Sequence, residues 1–412
     1  MLIHKDIIVV GGGPAGLAAA IVAKKRGIDD ILVLEREPNA GGILNQCIHD
    51  GFGLIKFQEA LTGPEYANRY IEEANELGIE IATGVMVQDI SCDKTVTTVS
   101  PGGIKTYEAS AVILAMGCRE RTRGAISIPG TRPAGVFTAG VAQNLVNIRN
   151  IMVGKRIVIL GSGDIGLIMA RRLTLEGAEV LAVVEKLPYS SGLQRNITQC
   201  LEDFGIPLLL SHTVTNIAGK ERVEGVTISR VDQQGRTIRG TSKKYLCDTL
   251  ILSVGLIPEN ELSLNAGVVI DEVTGGARVD ESLQTSIPGI FACGNVLQVH
   301  DLVDYVSAEG ELAAGSAVAY IRENAVLSHR IAVRPGKGIR YVVPQTILPD
   351  RDITFSMRVL KPGRDKTLVF KSGDRVIKKR KFIAVNPAEM IRADLKSAEL
   401  RDISGLEVCV DE

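Results

Sequence analysis

The chain lacks a cysteine pair. Its seven cysteines, Cys47, Cys92, Cys118, Cys200, Cys247, Cys293 and Cys409, are scattered, with no CxxC spacing and no cluster. That excludes an iron–sulfur cluster bound wholly by this chain in a usual spacing, and it argues against a disulfide framework. Five dispersed histidines give no metal-ligand spacing, so no metal is expected. An excess of one charge is lacking too. With 47 basic residues against 48 acidic ones, no global field is available to hold a nucleic acid or an anionic membrane. Nor is there a long unbroken apolar run. The stretch Ile7 to Ala23 is interrupted at Gly11-Gly12-Gly13-Pro14, and no positive leader precedes it. Neither a signal peptide nor a membrane span is expected, and a cytoplasmic protein is the natural reading. At 412 residues the chain is long enough for two or three domains around a large core.

What is present is a plan used twice. Asp6 to Val10 reads as a short buried strand that enters Gly11-Gly12-Gly13-Pro14-Ala15-Gly16. An Ala-rich helix (Leu17 to Lys25) follows, then a second strand, Ile31 to Leu34, ending on Glu35. Arg156 to Leu160 is again an apolar strand, followed by Gly161-Ser162-Gly163-Asp164-Ile165-Gly166, a helix, and the strand Val180 to Val184 ending on Glu185. Every motif glycine and each closing glutamate recurs at an offset of 150 residues (Gly11 to Gly161, Glu35 to Glu185). One GxGxxG is weak evidence; two of them, each between strand and helix and each followed by an acid, are strong. The first glycine permits the tight turn, the second lets the backbone approach a pyrophosphate, and the third lets helix pack on strand. The helix start offers N–H groups and the positive dipole end to phosphates. The terminal acid accepts hydrogen bonds from a ribose 2′-OH and repels a 2′-phosphate. Two dinucleotide sites are therefore expected.

Between and after these units the chain gives further signals. The loop Pro38 to Gly42, continuing through Asn45 to Gly53, belongs on the carboxyl edge of the first sheet, where ligands of open α/β sheets bind. Glu65 to Leu77 has helical periodicity. Ile79 to Thr83, Val85 to Ile90, Thr95 to Ser100 and Lys105 to Ala109 read as an antiparallel excursion, and Ala111 to Ala115 as a separate parallel strand. Ile128 to Gly135 looks like a domain crossing. Thr213 to Ile238 reads as a hairpin region turning at Asp232 to Gly235, and Ser307 to Ile321 as a small-residue helix. Beyond Arg322 a period of two dominates, predicting a small β domain, with Lys378 to Lys381 on a solvated edge strand.

With both glycine motifs in place, residues 1 to about 325 resemble the two-dinucleotide-binding-domain flavoproteins. These are the glutathione-reductase-like, pyridine nucleotide-disulfide oxidoreductase-like superfamily. Leu114-Ala115-Met116-Gly117 and Phe291-Ala292-Cys293-Gly294-Asn295 are similar to two further family segments, with Asn295 where the family usually has an Asp that contacts the flavin ribityl chain. The resemblance implies an α/β protein with two Rossmann-like domains, the FAD-binding one discontinuous, and a small C-terminal β domain. Its boundaries would be 1–125 with 256–325 for FAD, 126–255 for NAD(P), and 326–412 for the β-rich part. It implies FAD at Gly11, Gly13, Pro14, Ala15, Gly16, Glu35, Arg36, Gly42, Met116, Gly117, Gly294, Asn295 and Ser307. It implies NAD(H), in preference to NADP(H), at Gly161, Gly163, Asp164, Ile165, Gly166 and Glu185. The helix beginning near Ser307 is expected to aim its N-terminus at the flavin.

Disulfide reductases of this family carry a cysteine pair, and none is present here. The wording of Asn45 to Phe52, Gly117 to Arg121 and Ile128 to Val136 is similar to another subgroup. That subgroup holds the flavoprotein subunits associated with anaerobic glycerol-3-phosphate dehydrogenases and, more distantly, opine dehydrogenase and sarcosine oxidase alpha-type subunits. It implies electron transfer between NAD(H) and a partner redox protein within an oligomer. Cys47 and His49 are the candidate catalytic residues, since their loop lies where family members keep redox cysteines; His300 is a further candidate proton donor. A Cys47–Cys118 pair is conceivable. Two other readings stand beside this one. One is a single-cysteine NADH oxidase or peroxidase cycling Cys47 through a sulfenic acid, and the other is a non-catalytic assembly subunit.

Overall fold

The computed structural model describes residues 2–323 and 330–411. These form two compact units, Met1–Cys118 with Pro258–Glu412, and the inserted Arg119–Ile257. Residues 119–125 and the segment Ile128 to Gly135, read as a crossing, lie inside the second unit. The boundary drawn at 325/326 lies outside the described residues, and 330–411 group with the first unit.

In the first unit a parallel sheet runs in the order Glu80–Ala82, Ile31–Leu34, Leu2–Val10, Gly103–Leu114. Ile7 to Val10 and Ile31 to Leu34 are buried throughout, as a sheet covered on both faces requires. Gly103–Leu114 corrects the sequence reading, which broke it at Ser110. It is one continuous strand, parallel along one edge to Leu2–Val10. Its other edge is divided: residues 103–108 pair antiparallel with Thr95–Ser100, and Val112 to Leu114 pair parallel with Ile290–Ala292. Buried Ala109 and Ala111 continue the strand, and nothing around Ser110 forces a turn.

Helix Pro14–Lys25 packs on helix Val303–Glu323 through small residues. A Cβ at Gly310 would stand 2.1 Å from Ala15 O, so only glycine permits this approach. The second helix starts four residues before Ser307, which corrects the expected start. Its signal is an acid, Asp304, in the first turn.

The second unit carries a parallel sheet in the order Leu208–Leu210, Glu179–Glu185, Arg156–Leu160, Thr249–Leu252, Val136–Thr138. An antiparallel sheet of His212–Ala218, Gly225–Arg230 and Lys243–Tyr245 accompanies it. The main hairpin there turns at residues 219–224, with Glu224 N donating to Ala218 O at 2.9 Å; Asp232 to Gly235 forms a second, tighter turn. In the C-terminal region two sheets share one apolar core built around Phe355, Phe370 and Leu395. Arg375–Val385, with its lysine run, forms an edge. Among the described residues no helix is long and apolar enough to cross a membrane, and no group of three or more His, Cys, Asp or Glu side chains could hold a metal ion.

Candidate functional site

The first cradle lies where strand Leu2–Val10 meets helix Pro14–Lys25. Gly11 has φ +109°, and a Cβ there would sit 2.4 Å from Ala115 O. At Gly16 a Cβ would stand 1.9 Å from Gly11 O, so the third glycine lets the helix close onto the turn. Gly13 is different. Nothing lies nearer to its would-be Cβ than Gly42 Cα at 3.9 Å, and its φ of −83° is open to any residue. The space beside Gly13 is therefore open. The helix that Gly13 caps has no side-chain cap and no acid in its first turn, which leaves its N–H groups and dipole end to an outside anion. Glu35, buried at the tip of the next strand, accepts Gly12 N on one oxygen and Glu37 N on the other, both at 2.8 Å. Each oxygen keeps a lone pair for a hydroxyl donor. The Gly41-Gly42 loop closes the far side, with Gly41 N donating to Gly12 O at 2.8 Å. This is a cradle that fits the phosphates and ribose of a dinucleotide.

The second cradle repeats the geometry within its own unit. Gly161 has φ +101° and would place a Cβ 1.9 Å from Ser253 O; at Gly166 a Cβ would stand 2.8 Å from both Gly161 O and Ser253 Cβ. Gly163 again faces space, its nearest neighbour being Ser253 Oγ at 3.5 Å. Glu185 is more engaged than Glu35. Its Oε2 accepts Ser162 N, Ser162 Oγ and Ser191 Oγ at 3.0, 2.6 and 3.1 Å, and its Oε1 accepts Leu187 N at 2.9 Å. Asp164 turns away from the turn, accepting Leu193 N at 2.8 Å and Asn196 Nδ2 at 2.6 Å. Ser253, Ser191 and Asn196 were not found by sequence reasoning. They lie 29 or more positions from the turn residues they contact (Ser191 to Ser162, Asn196 to Asp164, Ser253 to Gly166), and no spacing rule marks them.

Other candidates separate. Gly42 lies against Gly13, its Cβ position 3.1 Å from Gly13 Cα. Gly117 has φ +74° and open space around it; Met116 is half-buried and Arg36 exposed. Ser307 is fully buried in the second turn of its helix, its hydroxyl 2.8 Å from Tyr66 Oη, so it is not at the helix start. Asn295 Oδ1 accepts His300 N at 3.0 Å. Cys47 is half-buried against the start of helix Gly63–Glu76, its thiol donating to Ile43 O at 3.4 Å. Burial pushes that thiol up to about 12, away from the thiolate that redox chemistry uses. His49 lies beside Phe52, with ring centroids 4.9 Å apart and planes tilted by 48°. Cys47 and Cys118 are not bonded to each other.

Comparison with known proteins agrees with this geometry. Thioredoxin reductase of Listeria monocytogenes is 27% identical over 77% of this chain and 94% of its own length. An opine oxidase subunit of Agrobacterium tumefaciens is 28% identical over 93% of this chain and 79% of its own. The solved thioredoxin reductase of T. acidophilum superposes with a TM-score of 0.64 at 25% identity, over 77% of this chain and 98% of that one. Residues 5–311 match the family described as pyridine nucleotide-disulphide oxidoreductase. The chain belongs to that family, whose members are oxidoreductases that bind FAD and NAD(P)H.

Proposed function

We propose that the chain exchanges a hydride between NAD(H) and FAD and passes the electrons to or from a partner redox protein, without a dithiol relay of its own. One observation carries the reading. The similarity to the opine oxidase protein extends over 93% of the chain, well beyond residues 5–311, and that relative is by name one subunit of its enzyme. The partner would be of the dehydrogenase type that the subgroup resemblance implies.

FAD, when bound, supplies the hydride-accepting chemistry. The first cradle would hold its phosphates with the N–H groups behind Gly13, Pro14, Ala15 and Gly16, and Glu35 would receive a ribose hydroxyl. Met116, Gly117 and Asn295 would line the remainder of that site. In the second cradle Gly161, Gly163, Ile165 and Gly166 would receive the nicotinamide dinucleotide. The buried charge of Glu185 disfavours a 2′-phosphate and so supports NADH over NADPH, which the ratio of the two reduction rates measures. Cys47, held as a thiol by burial, speaks against a sulfenic-acid cycle. The test is anaerobic: record the visible spectrum, add NADH, and then offer a dye or a co-purifying protein. Bleaching of the flavin, followed by reoxidation with either acceptor, is expected. A flavin left oxidised by NADH would refute the proposal.

A further inference from the structure

Behind the first cradle lies a buried cluster that hydride exchange does not use. The Glu309 carboxylate accepts three donors: Gly294 N at 2.9 Å, Gln298 Nε2 at 2.7 Å and His300 Nε2 at 3.0 Å. The His300 side chain is 1% exposed. On the other side of its ring, Asn295 Oδ1 accepts His300 N at 3.0 Å and stands 3.4 Å from Nδ1. A main-chain N–H can only donate, so this bond fixes the carboxamide with its oxygen toward His300 and its NH₂ away. Both ring nitrogens then face oxygens, the Glu309 carboxylate at 3.0 Å from Nε2 and the Asn295 carboxamide at 3.4 Å from Nδ1. The cluster touches the cradle directly. A Cβ at Gly294 would lie 2.9 Å from Ala15 Cβ, and one at Gly310, next to Glu309, 2.1 Å from Ala15 O.

We propose that His300, held between Asn295 and Glu309, is a positioning residue of the FAD site: it orients the Asn295 carboxamide and anchors the Glu309 carboxylate that holds Gly294 N beside the cradle. A carboxylate at 295 would place a second acid against the same ring beside Glu309, and the neutral Asn295 avoids that. The other charged and titratable groups around the cluster are accounted for. Asp301 is paired with Arg358, which the C-terminal region supplies from strand Ile353–Val359. Tyr341 lies beside that pair, its phenol pushed up by burial. Asp304, on the helix of Glu309, accepts Lys56 N at 2.8 Å, and burial likewise raises the Cys293 thiol.

The inference rests on FAD occupying the first cradle. Its test uses the FAD-loaded full chain. The flavin midpoint potential and the FAD dissociation constant are measured side by side at neutral pH. Wild type, His300→Gln and Glu309→Gln are compared. His300→Gln should move the midpoint potential away from the wild-type value and hold FAD about tenfold more weakly. Glu309→Gln should shift the potential as well, which keeps the test open if His300→Gln fails to fold. Yellow variants with the wild-type potential and affinity would overturn the inference. A wild-type chain that takes up no FAD would instead overturn the function on which it rests.

Discussion

Gly13→Ala is the sharpest perturbation the geometry offers, because it separates folding from binding. The backbone there has φ −83° and ψ −171°, which alanine adopts without strain, and the added methyl meets nothing closer than Gly42 Cα at 3.9 Å. The folded chain without FAD should lose nothing. It should gain about 0.4–1 kcal/mol, because alanine restricts the unfolded chain more than glycine does. Binding should suffer. The methyl projects into the space a pyrophosphate needs to reach the helix N–H groups, and losing one or two charge-assisted bonds costs about 2–4 kcal/mol. At 1.4 kcal/mol per decade the dissociation constant for FAD should rise roughly 30- to 700-fold. Denaturant unfolding of the FAD-free protein gives the first quantity, and quenching of FAD fluorescence on titration gives the second. Gly16→Ala is the contrast: its methyl would stand 1.9 Å from Gly11 O, so the fold itself should fail. A Gly13→Ala protein that binds FAD within threefold of wild type would refute the assignment of the cradle.

Gly163→Ala should give a yellow protein whose flavin NADH no longer bleaches, since its methyl enters open space, 3.5 Å from Ser253 Oγ, in the second turn alone; normal bleaching would remove that turn from the mechanism. Cys47→Ser should keep at least half of NADH–dye reductase activity, and wild-type Cys47 should alkylate slowly at neutral pH because burial pushes its thiol up to about 12; loss of NADH-driven turnover in the serine variant would favour the peroxidase reading. Asp280 is raised from 3.8 to about 6, first by burial and then by Glu281. The folded chain thus favours its protonated form, so the contribution is present below about pH 4 and lost as pH rises through about 6. Asp280→Asn should remove roughly 2–3 kcal/mol of that pH dependence from the unfolding free energy; an unaltered slope would contradict it.

The parts legible in the sequence are those fixed by local chemistry. Runs such as Ile7 to Val10 announce a strand buried on both faces, and the first and third glycines of each turn must be glycine because backbone atoms stand where side chains would be. Side chains that complete a site from a distance were not legible. Ser253 and Ser191 meet the second turn only through tertiary folding, and the link from Asn295 through His300 to Glu309 joins a loop to a helix. Boundaries suffered where an ordinary residue was taken for a break. Ser110 lies inside a continuous strand, and Ser307, chosen for the small residues that follow it, lies a full turn inside its helix.

The divided edge of strand Gly103–Leu114 also orders events during synthesis. Val112 to Leu114 find Ile290–Ala292 only after the whole of 119–257 has left the ribosome. The inserted unit, contiguous in sequence, can therefore close upon itself while its host still waits for a missing edge. Nascent chains stalled once residue 257 has cleared the ribosome should hold a protease-resistant insert flanked by a cleavable N-terminal segment.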